Sequence, residues 1–165
     1  MPTTALYRGR FDPPGLHHIQ AVKALLDAFD SVVIMPWGPL ASRPIDENIA
    51  PAYRALLIDL AMQNLGPRVT IDLHDIEYAC VSSSAEIEKR LARKDVCHVV
   101  EADSFADDRA RLHAGAKIVV VVSNGDAAPP GENVIVRTEN DVPGAVMRKR
   151  LYGGQPIDDL VPPTV

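Results

Sequence analysis

Apolar residues fall along this chain in two alternating patterns. Short runs rich in β-branched residues and bounded by turn formers predict strands at Thr4 to Arg8, Ser31 to Pro36, Val69 to Leu73, Val96 to Glu101, Lys117 to Val122 and Asn133 to Arg137. Between them, segments beginning at Leu16, Ala50, Ser83 and Ser104 place apolar side chains three and four residues apart, which predicts helices. Strands alternating with helices are the pattern of an α/β sheet wound with crossover helices. Two stretches break the alternation. Met35 to Pro51 is long, Pro-rich and aperiodic, and such a loop after a parallel strand is placed to form a binding edge. Ser123 to Asn133 carries Asn-Gly and Pro-Pro-Gly turn signals, which a structural connection explains without a ligand.

Composition narrows the picture. A chain of 165 residues with 47% apolar content suits one domain, 1–165, with a core that needs no disulfide or metal staple. Its net charge of −5 supplies no general attraction to nucleic acid or to an anionic membrane surface. No apolar run reaches the length of a membrane span and no signal-peptide core opens the chain, so the expectation is a cytoplasmic protein with no nucleic-acid or membrane partner. Cys80 and Cys97 lack any zinc-binding spacing and are expected to be buried reduced thiols. A Cys97–His98 pair is ruled against, because neighbours on a strand face opposite ways.

The chemistry concentrates in YRGRFDPPGLHHIQAV, Tyr7 to Val22. The first strand ends near Arg8, Gly9 turns the chain, Pro13 and Pro14 stiffen it, and a helix opens near Leu16. That order sets free backbone N–H groups and a positive helix end beside the strand, an arrangement suited to phosphate. Gly9 allows close approach of a ligand, and His18 in the first helical turn is positioned either to point an imidazole at the anion or to be a solvated helix-start residue.

This stretch resembles the N-terminal motif of the nucleotidyltransferases related to nicotinate and nicotinamide mononucleotide adenylyltransferases and pantetheine-phosphate adenylyltransferases, G-[ST]-F-[DN]-P-x-[HT]-x-G-H. Gly9, Phe11, Asp12, Pro13 and His18 match it. VVEADSF (Val99 to Phe105) looks like the family's G-x-D-S-[LF] segment, with Asp103 and Ser104 in place. IDLHDIE resembles its third strand with a trailing acidic residue, Arg54 sits where an arginine is common, and Arg148 to Val165 is similar to the bacterial nicotinate mononucleotide adenylyltransferase ending. The resemblance covers nearly the whole chain. It implies a Rossmann-like, mostly parallel sheet of five to six strands with helices on both faces. It also implies an adenylyltransferase that moves AMP from ATP to a mononucleotide and releases pyrophosphate. ATP is the implied cofactor, with Mg²⁺ bound through its triphosphate and no protein-held metal; the second partner is a mononucleotide-like small molecule, and homo-oligomerisation stays open. His18 and Arg148 are the implied catalytic residues. Gly9, Arg10, Phe11, His17 and Asp103 are the implied cofactor-binding ones.

The departures from the motif are equally specific. Its first histidine or threonine falls on Gly15, and the glycine before the last histidine is His17, which either crowds the loop or replaces the imidazole. Arg8 and Arg10 stand where small residues are usual. The second phosphate motif, S-[ST]-T-x-x-R, reads Pro143-Gly144-Ala145-Val146-Met147-Arg148, and Asp141 reads as an N-cap that would satisfy the helix end and repel phosphate. These changes support an alternative reading, a catalytically weak or inactive relative serving as a nucleotide-binding or interaction module. Trp37 is suited to substrate stacking or to loop packing, Asp103 to a helix cap, Arg148, Lys149 and Arg150 to an exposed basic face, and Asp107 and Asp108 to solvent. A dinucleotide-using oxidoreductase is disfavoured because no G-x-G-x-x-G follows the first strand.

Overall fold

The computed structural model describes residues 3–40, 49–92, 95–123, 127, 129, 134–138, 142 and 144–165. In chain order these residues form β1 (Thr4–Gly9), α1 (Leu16–Ala28), β2 (Ser31–Pro36), α2 (Pro51–Met62), β3 (Val69–Ile71), α3 (His74–Glu77), α4 (Ser84–Leu91), β4 (Val96–Glu101), α5 (Phe105–Ala110), β5 (Lys117–Ser123), β6 (Val134–Thr138) and α6 (Gly144–Tyr152). The six strands make one sheet in the order β3-β2-β1-β4-β5-β6. Every neighbouring pair is parallel, with Ala5 opposite Val32 on one side and Cys97 on the other.

Alternation along the strands sends side chains to two layers of helices. Ala5, Tyr7, Val32 and Ile34 pack with Val22 and Leu25 of α1 and Ile58 and Met62 of α2. On the other face Leu6, Val33 and Met35 meet Ile87 of α4, and Val100, Ile118 and Val120 meet Phe105 and Leu112. Each fully buried large aliphatic side chain contributes about 1.5–3 kcal/mol. Cys97 packs against the first layer while His98 bonds to α4 on the second, as strand alternation requires.

Local chemistry explains the boundaries. Pro51 opens α2, and Ser83 caps α4 by accepting from the Glu86 amide at 3.3 Å while Glu86 Oε2 accepts from the Ser83 amide at 2.8 Å. The third strand stops at Ile71, short of the expected Leu73. Asp72 Oδ1 accepts from the His74 amide at 3.0 Å and turns the chain into α3, which the apolar pattern does not announce. The helical segment expected from Ser104 ends at Ala110, and the His113 amide donates to Ser84 Oγ at 3.0 Å instead of continuing the helical ladder. The two cysteines are free and half-buried rather than buried: Cys80 Sγ lies 3.6 Å from Asp75 Oδ1, and burial pushes the Cys97 thiol up to about 11. The C-terminal segment straps the helices. Leu160 O accepts from the Leu16 amide at 2.9 Å, Val161 is buried, and Thr164 Oγ1 donates to Leu60 O at 2.8 Å. No helix among the described residues is long and apolar enough to cross a membrane.

Candidate nucleotide site at the sheet switch point

In this strand order the chain leaves β1 in one direction and β4 in the other, opening a crevice beyond their carboxyl ends. Gly9 closes β1, Glu101 closes β4, and both line a cavity of about 440 Å³. The cavity collects five more of the expected residues, Arg10, Phe11, His17, His18 and Arg148. Asp103 lies in the 3₁₀ turn Ala102–Ser104 directly after β4, and its side chain falls outside the described residues. The expected Asp141 cap and Pro143 fall outside them too.

The loop between β1 and α1 is built around Phe11. Its backbone takes the left-handed conformation (φ 48°), which turns the ring back under the strand end, edge-on to Tyr7 at 5.2 Å and 4.9 Å from His18. A Cβ on Gly9 would come within 3.3 Å of that ring, so a glycine there gives Phe11 its room. Tyr7 in turn donates its hydroxyl to Glu101 at 2.5 Å, tying the two strand ends together.

His18 Nδ1 accepts from the Gly15 amide at 2.9 Å. In the neutral ring the proton therefore sits on Nε2, the other edge of the imidazole. Desolvation by packing, followed by the charge of adjacent His17, holds His18 well below the usual histidine range. The His17 ring lies 3.9 Å from it, centroid to centroid. What the site offers here is a neutral Nε2–H donor at the helix start. The free backbone N–H groups expected there are partly taken: Gly15 by His18, Leu16 by Leu160 O, and His18 by Gly15 O at 3.1 Å.

The arginines divide by task. Arg148 does not lie on an exposed basic face; it is buried, and its Nη1 donates to Asp12 O at 2.8 Å and Asp12 Oδ2 at 3.1 Å. Asp12 Oδ1 accepts from the Ile49 amide at 3.0 Å. Gly144 makes the pairing possible, since a Cβ there would stand 2.8 Å from Asp12 O. Gly144, one of the departures from the second phosphate motif, thus brings α6 against the first loop. Arg54, buried in α2, donates to the carbonyls of Arg10 (2.6 Å), Trp37 (2.9 Å) and Ile49 (3.2 Å). Arg8 reaches Asp75 Oδ2 and Ser82 O, each at 3.2 Å. Arg10 and Arg111 flank Trp37, with guanidinium carbons 5.8 and 4.9 Å from the indole centroid, so Trp37 is packed by cations at the cavity wall.

Sequence reasoning left Arg111 and Glu101 out of the site, yet both line the cavity. Asp107 and Asp108, expected to face solvent, line it as well, and Asp108 Oδ2 accepts from Ser104 Oγ at 2.6 Å. Glu101 stands at the glycine position of the G-x-D-S-[LF] segment, the other three belong to no motif, and the register of β4 and the early end of α5 bring them in.

No protein-family model matches the sequence, and no curated protein matches it. Solved structures do. One from Vibrio parahaemolyticus, described as a nicotinate-nucleotide adenylyltransferase, superposes with a TM-score of 0.68 at 20% identity, covering 99% of this chain and 96% of that one. The Plasmodium falciparum nicotinic acid mononucleotide adenylyltransferase complexed with NaAD gives 0.75 at 11% identity, covering 99% and 92%. The same enzyme complexed with APC gives 0.72 at 13%, with the same 99% and 92% coverage. The chain has the Rossmann-like α/β fold of these adenylyltransferases from end to end.

Proposed function

We propose that the protein is a nucleotidyltransferase that moves AMP from MgATP to a mononucleotide such as nicotinate mononucleotide. The observation that carries this reading is the position of His18: a neutral imidazole with Nε2 as its donor edge, in the crevice between the ends of β1 and β4. In the reaction a 5′-phosphate oxygen of the acceptor forms a bond to the α-phosphorus of ATP. The bond from that phosphorus to the bridging oxygen breaks, and pyrophosphate leaves with the electron pair. The protein's part is to align the two phosphates and to place donors where charge builds. His18 serves as that donor, with Gly9 and Phe11 shaping the loop, Arg10 and His17 at its rim and Asp103 beside the nucleoside. A charge-assisted hydrogen bond of this kind contributes about 1.5–3 kcal/mol. Arg148 acts through Asp12 as a positioning residue.

A second reading rests on the donors already taken. Arg148 on Asp12, Leu16 on Leu160 and Gly15 on His18 leave fewer groups for a triphosphate, which favours a nucleotide-binding module of low activity. Both are tested by pyrophosphate release from purified protein given MgATP with nicotinate mononucleotide, nicotinamide mononucleotide or phosphopantetheine in separate wells, beside His18→Ala. Turnover with one acceptor that falls about tenfold to a hundredfold in the variant supports the transferase. ATP binding by calorimetry without turnover supports the module, and neither binding nor turnover overturns both.

A further inference from the structure

Away from the nucleotide crevice, we propose that Glu88, His98 and His113 bind a divalent transition-metal ion of the zinc class. Their ligating atoms lie within 4.8 Å of one another and come from three separate elements, α4, β4 and the connection after α5. Both imidazoles aim the same ring nitrogen at one oxygen: His98 Nε2 is 2.8 Å and His113 Nε2 2.9 Å from Glu88 Oε1. A tetrahedral zinc with bonds of about 2.0–2.1 Å holds its ligand atoms roughly 3.3 Å apart. The two histidine–glutamate pairs therefore need to open by only about half an ångström each.

Two imidazoles and one carboxylate are a donor set that zinc accepts with one position left for water. The environment suits it. His98 is 2% exposed, whereas the Glu88 and His113 side chains are 30% and 35% exposed, so an ion has a buried anchor and an open side. Ligation through Nε2 puts the ring proton on Nδ1, and His98 Nδ1 has no hydrogen-bond partner among the described residues. His98 also lines a cavity of about 40 Å³, room for one water to accept from it. On His113, ligation displaces the long 3.2 Å bond from the Gly115 amide, which is exposed and turns to solvent.

The ion would pin α4 and the α5–β5 connection to the central strand β4. The test uses full-length protein freed of any affinity tag and titrated with Zn²⁺ alone by calorimetry, with Co²⁺ absorption as the geometric readout. The expected result is one equivalent bound, a visible Co²⁺ band of tetrahedral intensity, and affinity reduced about tenfold or more in Glu88→Gln and in His113→Ala. Those two side chains are partly exposed, so their variants keep the core; His98→Ala is avoided for the opposite reason. Failure of the folded wild type to bind one equivalent of zinc, or binding undiminished in both variants, overturns the proposal. Nucleotide transfer plays no part in either outcome.

Discussion

The imidazole of His17 fills the space that a side chain at position 15 would need. A Cβ built on Gly15 would lie 2.8 Å from His17 Nδ1 and Cε1 and 3.2 Å from the Met147 methyl. Gly15 and His17, two separate departures from the motif, are thus coupled: the His17 imidazole occupies the space beside position 15. Gly15→Ala is expected to displace His17 and lower stability by about 1–3 kcal/mol. In Gly15→Ala/His17→Ala the clash is gone, so urea denaturation of the four species should show a coupling of about 1 kcal/mol or more. Additive effects would mean the two positions are independent.

The Asp12–Arg148 pair should behave as a buried ion pair that holds the site together. Both side chains are nearly inaccessible, 4% and 7% exposed. Removing the cation in Arg148→Met leaves the Asp12 carboxylate buried without its counterion and is expected to cost about 3–5 kcal/mol. The urea midpoint measures this. If Arg148 instead served mainly to grip phosphate from solvent, the midpoint would hardly move and only the KM for MgATP would rise.

His18 gives stability a pH dependence with a definite sign. Its folded-state value lies below the roughly 6.5 of an unfolded histidine, so below that pH the unfolded chain takes up a proton that the folded chain refuses. The contribution is fully present above about pH 6.5 and is lost as pH falls from there toward the lowered folded value, at up to about 1.4 kcal/mol per pH unit. The difference between wild type and His18→Gln in denaturation from pH 8 to 5 isolates this group. It should be flat above neutrality and narrow on acidification; a constant difference throughout would show that His18 titrates normally in the fold.

Strand alternation and the helical period made the sheet legible, because β1, β2, β4 and β5 are buried on both faces and their apolar runs are continuous. The lining of the crevice was legible as far as the motif ran: Gly9, Phe11 and His18 were expected together and line one cavity, because the loop chemistry is local. Arg148 was found with the wrong surroundings. Its partner Asp12 is 136 residues away, and no local pattern records that a glycine at 144 lets the two backbones touch. Arg111 and Glu101 reach the cavity only through tertiary geometry, and α3 depends on one Asp72 side chain rather than on a period.

Arg54 yields the sharpest separation between shape and charge. One planar guanidinium bonds three carbonyls, those of Arg10 in the first loop, Trp37 after β2 and Ile49 before α2. All three acceptors are backbone, so the side chain holds two walls of the crevice in register without touching a ligand. A lysine keeps the charge but cannot reach three divergent oxygens from one nitrogen, and its strongly hydrated ammonium is costlier to bury. Each lost bond to a charged donor is worth about 1.5–3 kcal/mol, and the bonds share one group, so the total is smaller than their sum. Arg54→Lys should therefore lose most of what Arg54→Met loses, about 3–5 kcal/mol in urea denaturation. It should also raise the KM for MgATP and leave the His18-dependent pH behaviour in place. Near wild-type stability in Arg54→Lys would show that charge alone matters at this position, and that the three-carbonyl geometry does not hold the crevice.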